Sequence, residues 1–270
     1  MPQAGVDGGT CALSGWRRRT GEGGHGAYGV KGWKRVGQKR MPREVRERQM
    51  LDAAVAAFAR HGYQAASMDD IAEAAGVSKP LVYLYLKSKE ELFTACIRRE
   101  VGALVAAVRE GTRQRGLAAD QQLWNGLTAF FAHTAARPDG VAVLYRARTQ
   151  GEPFSREVDT MRIEVVVIVT ALLGQAARDA GCAGKLAERE VSGLAHALVG
   201  AAESLAEWAD SRSRTGLSGA EPPPDAPSAN ETAATLMNFC WAGLENLMRG
   251  ARWVPGVGSG SAVAGGPHGP

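Results

Sequence analysis

An all-α chain is expected from the sequence, on three observations. Apolar residues recur at i, i+3, i+4 and i+7 through most of residues 43 to 250, the spacing of one face of a helix. Helix starts are marked by Ser-x-x-Asp/Glu boxes at Ser67/Asp70 and Ser88/Glu91. The stretches that lack an apolar stripe are rich in Gly and Pro and read as connections rather than strands.

Residues 1–40 carry eight Lys/Arg against two Asp/Glu, so the formal charge of +4 is concentrated in this arm and the other 230 residues are nearly neutral, at 24 against 26. The arm is Gly-rich and aperiodic and is expected to be disordered. Its "GEGGHG" spells a G-x-G-x-x-G, but no strand precedes it and no helix follows, so it does not open a nucleotide-binding βαβ unit. Ordered structure is expected from Met41 onward, which suggests Met41 as a start of translation. The rival reading is a basic arm that grips nucleic-acid phosphates.

In "RERQMLDAAVAAFARHGY", Leu51, Ala54, Val55 and Phe58 make an inner stripe, and Gly62 supplies a C-terminal stop with Tyr63 placed to fold back. "SMDDIAEAAG" follows as a short helix capped by Ser67 and stopped by Gly76, with Met68, Ile71, Ala72 and Ala75 inside. The next element, "PLVYLYL", has the composition of a strand. However, Ser78 is a favourable N-cap, Pro80 falls in the first turn, where its missing N–H costs nothing, and an isolated strand would have no partner for its backbone. As a two-turn helix it turns Val82 and Leu86 inward and Pro80, Tyr83, Leu84 and Lys87 outward. Two short helices joined by "AGVS" make a helix-turn-helix.

At "LDAAVAAFARHGYQAASMDDIAEAAGVSKPLVYLYLKSKEELF" the sequence resembles the N-terminal domain of the TetR family of transcriptional regulators, in its helix spacing and in the segments "GY", "IAEAAGVS" and "SKEELF". The resemblance covers residues 43–103. It implies a three-helix DNA-binding domain followed by a larger helical effector-binding and dimerisation domain over residues 104–250. It departs at Leu86, where the family usually has an aromatic residue, and at Pro80, where a small residue is common. By this resemblance Ser78, Lys79, Pro80, Tyr83, Leu84, Tyr85 and Lys89 lie at positions that touch a double-stranded operator. Chemistry agrees in part: Ser67 and Ser78 at helix starts suit phosphate oxygens, and Lys79 and Lys89 can pair with the DNA backbone. Equally, Ser67, Ser78 and Ser88 suit plain helix caps, and Tyr85 could be half core.

Beyond a linking helix from Lys89 to about Glu110, "DQQLWNGLTAFFAHTAA" is helical until Pro138 and Gly140 interrupt it. Residues 154–178 contain "VVVIVTALLG", too short on its own for the roughly 20 apolar residues of a membrane span, so a buried helix and no membrane partner are expected. In the family the corresponding helices surround a small apolar or amphipathic effector, which makes Trp124, Leu127, Phe131, Tyr145, Met161, Val165, Ile168 and His196 the candidate lining; ordinary core packing is the alternative for each. His196 is more readily a satisfied interior histidine.

Two further helices, near 187–209 and 230–249, carry narrow stripes: Val191, Leu194, Leu198, Ala202 and Leu205, then Leu236, Cys240, Gly243 and Leu247. The family's usual four-helix dimer interface would place Leu194, Leu198, Leu205, Leu236, Cys240, Gly243 and Leu247 between two copies; intrachain packing is the alternative. Residues 211–230, with a Pro run, read as a mobile loop and 251–270 as a frayed tail.

The four cysteines are far apart, which argues against a zinc site or a disulfide framework and for reduced thiols in a cytoplasmic protein. The sequence lacks H-E-x-x-H, P-loop and G-x-S-x-G signatures, so neither an enzyme nor a bound cofactor is expected. What the residues imply is a TetR-like homodimeric repressor released from a palindromic operator by an effector. A helical regulator or carrier without effector-controlled DNA binding is the alternative.

Overall fold

The computed structural model describes residues 42–114, 116–181, 188–214 and 227–248, and among these every regular element is a helix. In chain order they are α1 (Arg43–Ala65), α2 (Met68–Ala74), α3 (Lys79–Tyr85), α4 (Lys89–Thr112), α5 (Ala119–Ala136), α6 (Pro138–Gln150), α7 (Phe154–Asp179), α8 (Glu188–Arg214) and α9 (Ala229–Met248). The expected arm and tail, together with Cys11 and Cys182, lie outside the described residues. The expected loop at 211–230 is shorter than its composition suggested: α8 continues to Arg214, α9 begins at Ala229, and residues 215–226 are outside the description.

Local chemistry accounts for the first elements. Gly62 adopts φ 76°, a left-handed conformation that a side chain would strain, and there the axis of α1 breaks. The chain folds back so that Tyr63 sits 6.3 Å from the Phe58 ring. Ser67 Oγ accepts from the amides of Asp69 and Asp70, as a cap should. The α4 start is closed from both sides: Ser88 Oγ accepts from the Glu91 amide at 3.0 Å, and the Glu91 carboxylate accepts from the Lys87 amide at 3.1 Å. "PLVYLYL" is helical, with Val82 buried and Leu86 half-buried, while Tyr83, Leu84 and Lys87 face solvent.

Two apolar cores result. One holds Met50, Phe58, Ile71, Val82, Leu92 and Ile97 of α1 to α4 and continues into Val143 of α6 and Val158 and Met161 of α7. Its centre is an aromatic knot: Phe93 meets Phe58 edge-on at 4.8 Å and Phe154 at 4.9 Å, and Tyr63 lies 5.0 Å from Phe154. The boundary expected at residue 103 thus falls inside α4, and the first three helices share their core with α6 and α7. The second core gathers Leu127, Phe131, Val169, Leu173, Leu198 and Leu236 from α5, α7, α8 and α9.

Helix α7 is long and apolar enough, by length and composition alone, to cross a bilayer. A core helix meets the same description, and α7 packs against α4, α5, α6 and α8 while supplying both cores.

Helices α4 and α5 pack closely at Gly111. A Cβ there would lie 2.7 Å from the Asn125 carbonyl oxygen and 2.8 Å from the Ala129 Cβ. Ala in place of Gly inside a helix ordinarily stabilises by up to about 1 kcal/mol, but here the neighbour is backbone and cannot step aside. Gly111→Ala is therefore expected to destabilise by about 1–3 kcal/mol, read as a lower denaturant midpoint; an unchanged or raised midpoint would show that the helices can separate.

Candidate functional site

The helix-turn-helix is built by the turn at Gly76, whose φ of 65° lets the Val77 amide return to the Ala72 carbonyl at 3.0 Å. This turn leads directly into α3, which Val82 anchors to the first core. Ser78, Lys79, Pro80, Tyr83 and Leu84 are all exposed, and Leu84 at 76% is far more open than a leucine in a water-facing helix needs to be. A row of exposed apolar and hydroxyl groups on a short helix suits the thymine methyls and base edges of a major groove.

The other expected contacts are more committed to the protein itself. Ser67 is a working cap, whereas the Ser78 side chain makes no capping hydrogen bond. Tyr85 is half-buried against the first core, under the Arg43 guanidinium at 5.2 Å. Lys79 Nζ donates to Asp69 Oδ2 at 2.8 Å, and this bond and the Asp69 charge raise its pKa. Asp69 carried no mark of this role in the sequence, since acidic residues in a first helical turn are ordinary. Lys89 Nζ donates to the Gln64 carbonyl at 2.8 Å and lies 5.2 Å from the centre of the Tyr63 ring. That single bond leaves two of its three N–H groups for a phosphate. Lys89→Ala is accordingly expected to weaken binding by similar factors on all DNA sequences and to lower the salt slope by about one unit. A slope equal to that of the unaltered protein removes Lys89 from the phosphate contacts.

A cavity of about 630 Å³ lies between α4, α5, α6, α7 and α8. Of the eight residues expected to line it, Leu127, Tyr145, Met161 and Val165 do. Trp124, Phe131, Ile168 and His196 do not. Phe131 is buried in the second core and Trp124 packs against that core, because their positions on α5 face α9 rather than α6. Ile168 is half-buried away from the lining. His196 is neither interior nor at the cavity: it is exposed on α8, with Nδ1 2.9 Å from the Ser192 carbonyl oxygen. Helical spacing alone did not reveal that Leu104 and Val108 of α4, Phe130 of α5 and Leu144 of α6 also line the cavity. The same stripe residues serve core and cavity alike, so only the arrangement of all five helices separates them.

Arg148 of α6, Arg162 of α7 and Glu203 of α8 bring charge into the lining. Arg146 also lines the cavity and sends Nη2 to the carbonyl of Ala59 in α1, at 2.9 Å, beside the kink at Gly62. A buried ion network lies further along. Glu100 of α4, almost inaccessible, receives Arg137 in a bidentate pair at 2.8 to 3.0 Å and Arg99 at 2.9 Å. Arg99 in turn bonds Asp52 of α1 at 2.7 Å.

The stripes assigned to a dimer interface divide between two surroundings. Leu198 and Leu236 are spent in the second core, Leu236 at 1% exposure, because α9 turns that edge toward α5 of its own chain. Leu194, Leu205, Cys240 and Leu247 are half-buried and Gly243 is exposed. Leu194, Leu198, Cys240, Gly243 and Leu247 line a second apolar cleft, of about 250 Å³, between α8 and α9. Phe239, which also lines the cleft, stands 78% exposed, and Trp208 of α8 and Ile163 and Val167 of α7 are exposed as well; none of these four was singled out by the sequence pattern. The Cys96 thiol is buried and pushed up to about 12 by desolvation, and burial also raises that of Cys240, which suits packing thiols rather than reactive ones. Among the described residues there is no cluster of His, Cys, Asp and Glu suited to a metal ion.

A helix-turn-helix head on a helical body is, in its broad class, the architecture of a DNA-binding transcriptional regulator. The family model for bacterial regulatory proteins of the tetR family matches residues 50–96, and that for the tetracyclin repressor-like C-terminal domain matches residues 119–243. The chain is 30% identical over 208 residues to the HTH-type transcriptional activator FasR of Mycolicibacterium smegmatis, covering 77% of this chain and 87% of that one. A TetR-like transcriptional regulator from a Rhodococcus species superposes with a TM-score of 0.63 at 33% identity, over 76% of this chain and 99% of the other. FadR of Bacillus subtilis, solved in complex with stearoyl-CoA, shares the fold, with a TM-score of 0.56 at 19% identity over 76% of this chain and 99% of that one. The chain belongs to the TetR family of transcriptional regulators and is not an enzyme.

Proposed function

We propose that the protein is a cytoplasmic, homodimeric repressor that holds a palindromic operator and leaves it when a small amphipathic effector fills the α4–α8 cavity. The observation that carries this reading is that one helix serves both sites. Lys89 at the first turn of α4 flanks the reading helix, while Leu104 and Val108, four to five turns on, line the cavity. Arg146 and the Arg99–Asp52 pair tie α6 and α4 to α1, so a ligand that spreads α4, α6 and α7 re-aims the head. A cavity of 630 Å³ is of the size that holds drug-sized or lipid-like molecules. The stearoyl-CoA bound to FadR of Bacillus subtilis supports an acyl-type ligand.

Two heads are required, because one short helix reads too few base pairs to be selective. The exposed Phe239 on the α8–α9 cleft offers an apolar surface for pairing with a second copy. A second reading is supported by the likeness to an activator: effector binding then tightens rather than releases the operator complex. Mobility-shift titration on the DNA upstream of the protein's own gene, with and without a long-chain acyl ligand, tests both. Release by the ligand supports the repressor reading, tightening supports the activator, and DNA affinity indifferent to every acyl ligand removes effector control from this cavity.

A further inference from the structure

One carboxylate in the cavity lining leaves an arginine incompletely satisfied. Glu203 Oε1 lies 3.3 Å from Arg162 Nε and its Oε2 lies 3.5 Å from Arg148 Nη1, so one carboxylate stands between two guanidiniums. The contact with Arg162 is an ion pair without a hydrogen bond, and the buried Nε of Arg162 has no acceptor. A buried donor left unpaired is costly, and a guanidinium is best satisfied by an oxyanion that meets it in its own plane. Much of the remaining lining is apolar, including Leu104, Val108, Phe130, Met161 and Val165. Glu203, Glu207 and Asp210 match Arg146, Arg148 and Arg162 in number around the lining, so the site is marked by the unsatisfied Arg162 Nε rather than by net charge.

We infer that Arg148 and Arg162 form an anion site for the head of a long-chain aliphatic ligand, and that Glu203 is an internal carboxylate which the ligand's head displaces. This rests on the effector reading of the cavity and specifies its ligand: an oxyanion joined to an alkyl chain. A free fatty acid offers that anion as a carboxylate, and an acyl-CoA offers it as phosphate. Displacement exchanges one carboxylate for another oxyanion and frees Glu203 from α6 and α7, so the ion pairs that join these helices to α8 are broken by the ligand that enters between them.

Calorimetry on the full chain with palmitate, palmitoyl-CoA and 1-hexadecanol, each below its aggregation concentration, tests this. At least one of the two anions is expected to bind about tenfold or more tightly than the alcohol, the size of one charge-assisted hydrogen bond. Which anion binds more tightly identifies the source of the head group. Arg162→Gln and Arg148→Gln are each expected to shrink that preference, and Glu203→Gln to enlarge it by removing the competitor, a gain that damage to the fold would not produce. Hexadecanol binding as tightly as both anions, a preference untouched by all three substitutions, or no binding of any of the three ligands overturns the anion site. Operator release is measured separately: an alcohol that binds equally and still releases DNA leaves the effector reading standing while the anion site falls. Arginine-dependent anion binding with no effect on DNA has the opposite meaning.

Discussion

Phe239→Glu is expected to give a folded monomer that no longer holds its operator. Phe239 is 78% exposed in the single chain, so a carboxylate there costs the monomer almost nothing. In a two-fold dimer paired through α8 and α9 the same carboxylate is buried without a partner, and symmetry doubles it. At about 3 kcal/mol for each copy the dimer weakens by roughly 10⁴-fold. Sedimentation at micromolar concentration is expected to read half the mass, with helical circular dichroism retained and palindrome binding lost. Leu236→Glu serves as the contrast: Leu236 sits in the second core of its own chain at 1% exposure, so its substitution is expected to unfold the monomer rather than separate two folded ones. A Phe239→Glu protein that sediments as a dimer and binds DNA as before puts the interface elsewhere, with the exposed Ile163 and Val167 of α7 the next surface to examine.

Glu100→Ala carries the largest expected cost to stability. The carboxylate is nearly inaccessible and receives both Arg137 and Arg99, so its removal leaves guanidiniums in a site built for an anion. Loss of one partner of a buried pair costs about 3–5 kcal/mol. The lower end is expected because Arg137 is 42% exposed and can turn toward water. The measurement is the urea midpoint at fixed protomer concentration, since the proposed pairing would make apparent stability concentration-dependent. A change below about 1 kcal/mol, the scale of a surface ion pair, would show that the network does not hold the fold. A pH effect accompanies it. Desolvation and then the Arg137 charge lower the His133 pKa below its ordinary 6.5, and Glu100 partly opposes them. The unfolded chain therefore binds the proton more readily, and stability falls as pH drops through 6.5 toward the folded value. Without Glu100 the depression deepens, so the variant's acid-side loss is expected to be steeper than the parent's.

Much of the reading head was legible because it is built from local chemistry. Gly62 and Gly76 stop helices through conformations that side chains resist, Ser67 and Ser88 start them through hydrogen bonds two or three residues away, and Pro80 fixes a first turn. The outward set on α3 followed from a two-turn wheel anchored by Val82. Legibility ended where one residue type could serve two environments. Phe131 and Leu127 share a helix, a stripe and a core, yet only Leu127 also faces the cavity; Leu236 and Phe239 are three residues apart, yet one is sealed inside the chain and the other faces out.

The sequence by itself determined the helices, the turn between α2 and α3, and membership of a family, because each depends on neighbours within a few positions or on a compact motif. Only the tertiary structure decided which charges work in pairs. Glu100 with Arg137, Glu203 with Arg148 and Arg162, and Lys79 with Asp69 are separated by 10 to 55 residues in the chain. An acidic or basic side chain on a helix carries no local mark of its partner. Electrostatic partners are chosen by distance in space and by the water that packing removes, and both exist only once the helices have come together.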